Sequence, residues 1–233
     1  MPLPRSAVLL VVALAACGGS EPPPVPPAEP AAPAQSAAVA PTATPDVMVR
    51  GTIRMLPDPM FRSCDASALL PIVDSAGDRL PMFYRSMRAN DQEGMYVEGR
   101  AAGGTGSRVV LRSIEMVTLS GDAWGCDQPA PSWRYRVVGM NPAWSVTVSS
   151  AGITYEQPDS AVRIGFPAAV AEDSSGSMRI AVNSQDGGGH SIHLLLDPRG
   201  CSLGNKGTWL AMQAQVVLDG KPSTGCASRG TEH

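Results

Sequence analysis

The residues of this 233-residue chain whose type and spacing carry chemistry most directly are its five cysteines. Cys17 stands alone near the N-terminus, and Cys64, Cys126, Cys201 and Cys226 are spread along the rest. Thiols serve as nucleophiles, metal ligands or disulfide partners. None of the four forms a Cys-x-x-Cys pair, which weighs against a zinc site. An even number of cysteines in an exported chain points to disulfides, with three connectivities open. Pairing neighbours in sequence gives Cys64–Cys126 and Cys201–Cys226. In the chain-entropy account these bonds contribute on the order of 4 and 3.5 kcal/mol.

Other candidate groups are thinner. His190 and His193 are the two internal histidines. On a strand this spacing sends them to opposite faces, where they cannot chelate one ion. Of the 11 methionines, Met55/Met60 and Met82/Met87 come closest to a cluster. They lack the Met-x-Met or Met-x-x-Met spacing that brings several thioethers to one copper ion, so they suit irregular core gaps better. There is no Gly-x-Ser-x-Gly elbow and no His-Glu-x-x-His helix. Gly200 to Lys206 does not meet the spacing of a phosphate loop. Trp144 and Trp209 flank expected strands and read as core aromatics, with the mouth of a ligand site as the alternative. The expectation is a protein that is not an enzyme and carries no cofactor or metal.

Cys17 belongs to a different argument. One cation, Arg5, precedes the apolar run Ala7-Val8-Leu9-Leu10-Val11-Val12-Ala13-Leu14, and small residues lead into Cys17. This is the layout of a secretory signal peptide over residues 1–16, and the run is too short to span a bilayer. Leu14-Ala15-Ala16-Cys17 resembles the lipobox of bacterial lipoproteins. That resemblance implies cleavage before Cys17, acylation of its thiol and amine, and a firm membrane anchor. Gly18 in the following position is similar to the pattern of outer-membrane sorting. Residues 17–46 then form a Pro/Ala-rich tether with nothing bulky enough for a core. Between Glu21 and Pro45 it reaches at most roughly 75–80 Å at about 3.1 Å per residue.

The remaining chain must position whatever site exists. A net charge of −3 supplies no basic footprint for nucleic acid. Frequent glycine and few long amphipathic helical patterns predict mainly β structure. Residues 47–128 read as strands over Val47–Leu56, Met60–Cys64 and Leu69–Val73. A helix capped by Asp74 or Ser75 follows, carrying Leu80, Phe83, Tyr84 and Met87, with Pro81 in its first turn. Strands at Met95–Arg100 and Arg108–Leu119 complete the segment. Three strands, a helix and two strands is the order of a small OB-like barrel. This one lacks the stacking aromatics and basic groove of a nucleic-acid binder. Residues 131–230 read as an antiparallel β-barrel or sandwich. Its strands fall at Trp133–Val138, Trp144–Ser149, Ile153–Gln157, Val162–Phe166, Met178–Asn183, Ser191–Leu196 and Trp209–Leu218. Two modules with separate cores are expected.

Within that second segment, Tyr135-Arg136-Val137-Val138-Gly139-Met140-Asn141-Pro142-Ala143-Trp144, then Tyr155, Cys201-Ser202 and Gly225-Cys226-Ala227, resemble a family of uncharacterised Gram-negative envelope lipoproteins and membrane proteins. Its members carry Gly-Thr-Glu-Pro-Phe-Trp, Ile/Leu-Thr-Tyr, Cys-Ser-Asp-Gly-Met-Ser and Gly-Cys-Ala motifs. The segment around Phe61-Arg62-Ser63-Cys64 resembles a companion module that is similar to the OB-like domain of the envelope-stress lipoprotein NlpE. Leu203-Gly204-Asn205-Lys206 departs from the family's acidic loop, so a role for that loop's aspartate does not carry over. The resemblance implies a lipoprotein on the periplasmic face of the outer membrane, bound to the membrane by its lipid and to an envelope protein or component by its folded part. A stress or metal-linked sensor, and a hydrolase with an unrecognised site, are the alternatives.

Overall fold

A computed structural model describes residues 45–55, 57–87, 94–102, 107–119, 124–169, 172–174, 177–183, 188–204 and 207–232. Cys17, the signal segment and the tether up to residue 44 lie outside them. The first segment builds β1 (Asp46–Arg54), β2 (Met60–Ser63), β3 (Leu69–Asp74), α1 (Leu80–Ser86), β4 (Met95–Ala102) and β5 (Val109–Leu119). The expected order of strands and helix is present. Asp74 caps the approach to α1: its Oδ1 accepts the Ala76 N–H at 2.8 Å and its Oδ2 the Leu80 N–H at 2.9 Å. Pro81 sits in the first turn, where its missing N–H leaves no bond unmade.

These five strands close on themselves. β1 pairs with β2 and β4, β2 with β3, β3 runs parallel to β5, and β5 returns to β4. The result is a closed five-stranded barrel of OB-like form. Ile53, Phe61, Ile72, Met95, Val97, Leu111 and Val117 fill it, with Leu80 and Phe83 of α1 packed in the same cluster.

The second segment supplies β6 (Tyr135–Gly139), β7 (Trp144–Ser149), β8 (Gly152–Gln157), β9 (Val162–Phe166), β10 (Glu172–Ser174), β11 (Ser177–Asn183), β12 (Ser191–Asp197), β13 (Cys201–Leu203), β14 (Thr208–Leu210), β15 (Met212–Leu218) and β16 (Lys221–Arg229). Nine of them form one curled sheet in the order β10-β11-β12-β15-β16-β6-β7-β8-β9, a half-barrel. Alternating residues such as Trp144, Val146 and Val148, or Ile192, Leu194 and Leu196, line its buried face.

The hairpin β13–β14 does not join that sheet. Trp209 and Leu210 of β14 pair with Val117 and Met116 of β5, so both strands extend the first sheet. The reason lies in the length of β5. β3 occupies its edge only along Val109–Leu111, and β14 takes the groups left open further on. The strand expected over Trp209–Leu218 is therefore two strands, parted at Ala211 and serving different sheets. The line drawn at residues 128–131 is crossed, and the described residues form one compact unit.

Candidate functional site

The strands that make the barrel also present an outward face. On β4 and β5 that face carries Tyr96, Glu98, Met116 and Thr118, all buried. Tyr96 and Met116 share a small apolar cluster with Val138 of β6, Leu210 of β14 and Cys226 of β16. The two sheets thus meet along a seam, and charge is trapped in it. Glu98 is 5% exposed and Glu115 is 3% exposed.

Glu115 reaches the seam through a bulge. Glu98 is opposite Met116 and Gly99 opposite Ile114, so Glu115 is the extra residue of β5. A bulge residue drops out of the ladder and its side chain is re-aimed. Here its carbonyl accepts the Ala211 N–H at 2.8 Å, the point where the chain passes from β14 to β15. Ser113 Oγ donates to Glu115 Oε1 at 3.0 Å.

Glu98 accepts the Tyr96 hydroxyl at 2.6 Å. Burial raises its pKa, and the Tyr96 bond and the Arg50 and Arg136 charges only partly oppose this. The Tyr96 hydroxyl is pushed up as well, by burial first and by Glu98 second. Arg136 is lowered by burial, and its guanidinium lies 4.3 Å from the Trp124 ring centroid and 5.2 Å from that of Trp133. Arg50 Nη2 donates to the Cys126 carbonyl at 3.2 Å, tying β1 to the first disulfide. A carboxyl with a raised pKa is a candidate acid. Glu98, however, lines none of the three clefts below, and its hydrogen bond is to Tyr96 of its own strand.

One cleft, about 670 Å³, lies beside Cys64–Cys126 and is lined by Arg62, Asp65, Asp127 and neighbours. A second, about 450 Å³, lies between the Met140–Asn141 turn, β13 and the outer faces of β15 and β16. Asp197 and Arg199 at its rim are exposed and paired at 2.9 Å, and that bond holds the Asp197 carboxyl low. The third, about 220 Å³, opens at the bulge and gathers Arg79, Arg112, Ser113, Glu115, Trp209 and Arg229. The positions of its three arginines are far apart in sequence, and their strand or loop spacing looks like ordinary solvated surface. That is why the sequence does not reveal the cluster.

The expected residues fall as follows. Cys64–Cys126 and Cys201–Cys226 are both formed, with Cα separations of 5.0 and 5.5 Å inside the usual range. Cys17 is outside the described residues. Trp144 is 5% exposed in the half-barrel core, stacked on Tyr155 at 6.3 Å. Trp209 is 9% exposed and leaves its own segment to pack in the barrel core, 4.8 Å from Phe83. It also lines the third cleft. Each ring lies flat against a glycine: a Cβ on Gly139 would come within 2.1 Å of Trp144, and one on Gly200 within 2.5 Å of Trp209. His190 lies ahead of β12 rather than on it, with Nδ1 2.7 Å from Asp219 Oδ2, while His193 is exposed within β12. The Asp219 carboxyl is held low, first by the Ser191 N–H and then by His190. Among the described residues, no group of three or more His, Cys, Asp or Glu could hold a metal ion.

Compared with protein-family models, with characterised proteins and with solved structures, the chain matches none.

Proposed function

We propose that this chain is an outer-membrane lipoprotein of the periplasmic face that binds a protein or envelope component and catalyses no reaction. The observation that carries the reading is the use of the cysteines. Cys64–Cys126 and Cys201–Cys226 take up four of the five, and the fifth is the lipobox cysteine. Two disulfides suit an oxidising compartment, and a Pro/Ala-rich tether suits a body held away from the bilayer. Binding rather than catalysis is favoured by the separation of the candidate reactive groups from the clefts: neither His190 nor His193 lines any of the three, and the Glu98 carboxyl is sealed in the seam.

The test is fractionation of Cys17→Ser. The variant should move from the membrane pellet to the soluble periplasmic fraction and lose incorporation of labelled palmitate, because the acyl chains supply the anchor. A variant that stays in the pellet would show a second membrane contact and sink the reading.

A further inference from the structure

We propose that the cleft at the β5 bulge binds the phosphate-like end group of an anionic ligand, held by Arg79, Arg112 and Arg229. This deepens the binding-module reading by naming ligand chemistry, and it rests on that reading only for where the ligand comes from. The three guanidiniums arrive from the turn before α1, from β5 and from the end of β16. The parallel β3–β5 ladder and the Ser75 N–H bond to the Leu111 carbonyl bring the first two together, and the meeting of the two sheets adds Arg229. Against them stands one acidic residue, Glu115, so arginines outnumber acidic groups in the lining.

Several features mark the cleft as built for an anion rather than as a chance meeting of surface arginines. Arg163 and Arg199 have found the carboxylates of Glu156 and Asp197. Among the described residues, no salt bridge forms at Arg79, Arg112 or Arg229. Arg229 Nε is buried without a hydrogen-bond partner, and a buried donor left unmade is costly unless an acceptor arrives. Arg79 is already placed, its guanidinium 5.0 Å from the Trp209 ring centroid, so less freedom is lost when it binds. Planar carboxylates are satisfied by one bidentate fork. Three forks entering from different segments match the several oxygens of a tetrahedral oxyanion instead. The size agrees: about 220 Å³ is below the roughly 300–1,000 Å³ that encloses a whole small molecule, so an end group enters and the rest stays outside.

The experiment titrates the full chain, purified in detergent at low salt, with inorganic phosphate, glycerol 3-phosphate, dihexanoyl phosphatidic acid and acetate. Melting temperature and tryptophan emission are read together, since Trp209 lines the cleft. Phosphate compounds should raise the melting temperature and change the emission where acetate at equal ionic strength does neither. Arg112→Gln, on an exposed side chain that folding does not need, should weaken binding about tenfold or more, the loss expected for a charge-assisted hydrogen bond. Arg163→Gln, on the far edge strand β9, should bind as the wild type does. Tighter binding of the phosphatidic acid than of glycerol 3-phosphate would identify a lipid headgroup, and equal affinity a soluble phosphate ester; either supports the site. Equal responses to phosphate and acetate, or wild-type affinity in both Arg112→Gln and Arg79→Gln, would overturn it. The outcome is independent of Cys17→Ser fractionation, so loss of the anion site and loss of the anchoring reading are separately visible.

Discussion

The two sheets solve the problem of exposed edges in opposite ways. The barrel closes through its own strands but leaves the far part of the β5 edge open, and β14 from the other half fills that stretch. The curled sheet never closes: it ends at β9 and β10 and buries its apolar face within its own curl. Closure thus makes the barrel the dependent partner. It needs Trp209 in its core and the strand β14 from far along the chain, whereas among the described residues no strand of the first segment enters the half-barrel. Two folds that look separable in sequence are interlocked by one three-residue strand. Their unfolding should be a single event, because that strand carries Trp209 of the barrel core and Leu210 of the seam between the sheets.

The strongest way to break this comparison is Trp209→Ala. Removing a buried tryptophan from a packed core costs about 3–5 kcal/mol. Calorimetry should show one transition, moved to lower temperature for the whole body. Two transitions, with the half-barrel melting at its original temperature, would mean that the interlock does not couple the sheets.

Next in size is the bond at the root of the hairpin. Cys201 opens β13 and Cys226 lies in β16, so their disulfide pins the crossing segment to the half-barrel. The double variant Cys201→Ala/Cys226→Ala closes no 25-residue loop and should lose about 3.5 kcal/mol. Urea denaturation followed by barrel and half-barrel probes should give coincident midpoints, both lowered. A fall confined to the half-barrel would restore two independent cores.

The smallest effect sharpens the account of the seam. Burial makes ionised Glu98 less favourable in the folded chain than in the unfolded one. The stability linked to its proton is therefore complete below the ordinary 4.5, and it is lost as the pH rises through the raised folded value. Glu98→Gln keeps an acceptor for Tyr96 and carries no charge. From pH 4.5 to neutrality its denaturation midpoint should fall less than that of the wild type. Exposed Asp197, Asp219 and Glu232, whose carboxyls are held low, titrate in both proteins and cancel in the difference. Parallel profiles would show that Glu98 is not a buried acid.

Much of the barrel was legible because its signals are local. Asp74, Pro81 and the Leu80/Phe83 spacing declare the helix, and β-branched runs declare β3 and β5. The half-barrel strands from Trp144 to Phe166 follow from alternation alone. Three features left no such trace. Trp209–Leu218 reads as one strand because both parts are β-prone, and nothing in the sequence marks Ala211 as the point of exchange. The strand β16 hides behind Gly225 and the small residues around it, which Trp144 and the β6 backbone require at close range. Glu98 and Glu115 alternate with apolar residues as solvated charges would, and only the second sheet lying over them turns them into buried groups.

Read alone, the sequence carries most of the strands, the helix, the barrel's internal order, the expectation of a lipid anchor at Cys17 and, as one of three open connectivities, the neighbour-with-neighbour cysteine pairing that the structure forms. Each depends on neighbours within a few residues or on cysteine spacing. The tertiary structure alone decided that β14 completes the barrel, that Trp209 belongs to a core other than its neighbours', and that Arg79, Arg112 and Arg229 share one cleft. Those outcomes depend on which edge of β5 remains unpaired once the barrel has closed. That is a property of assembled hydrogen-bond ladders and packed faces, and no window of sequence contains it.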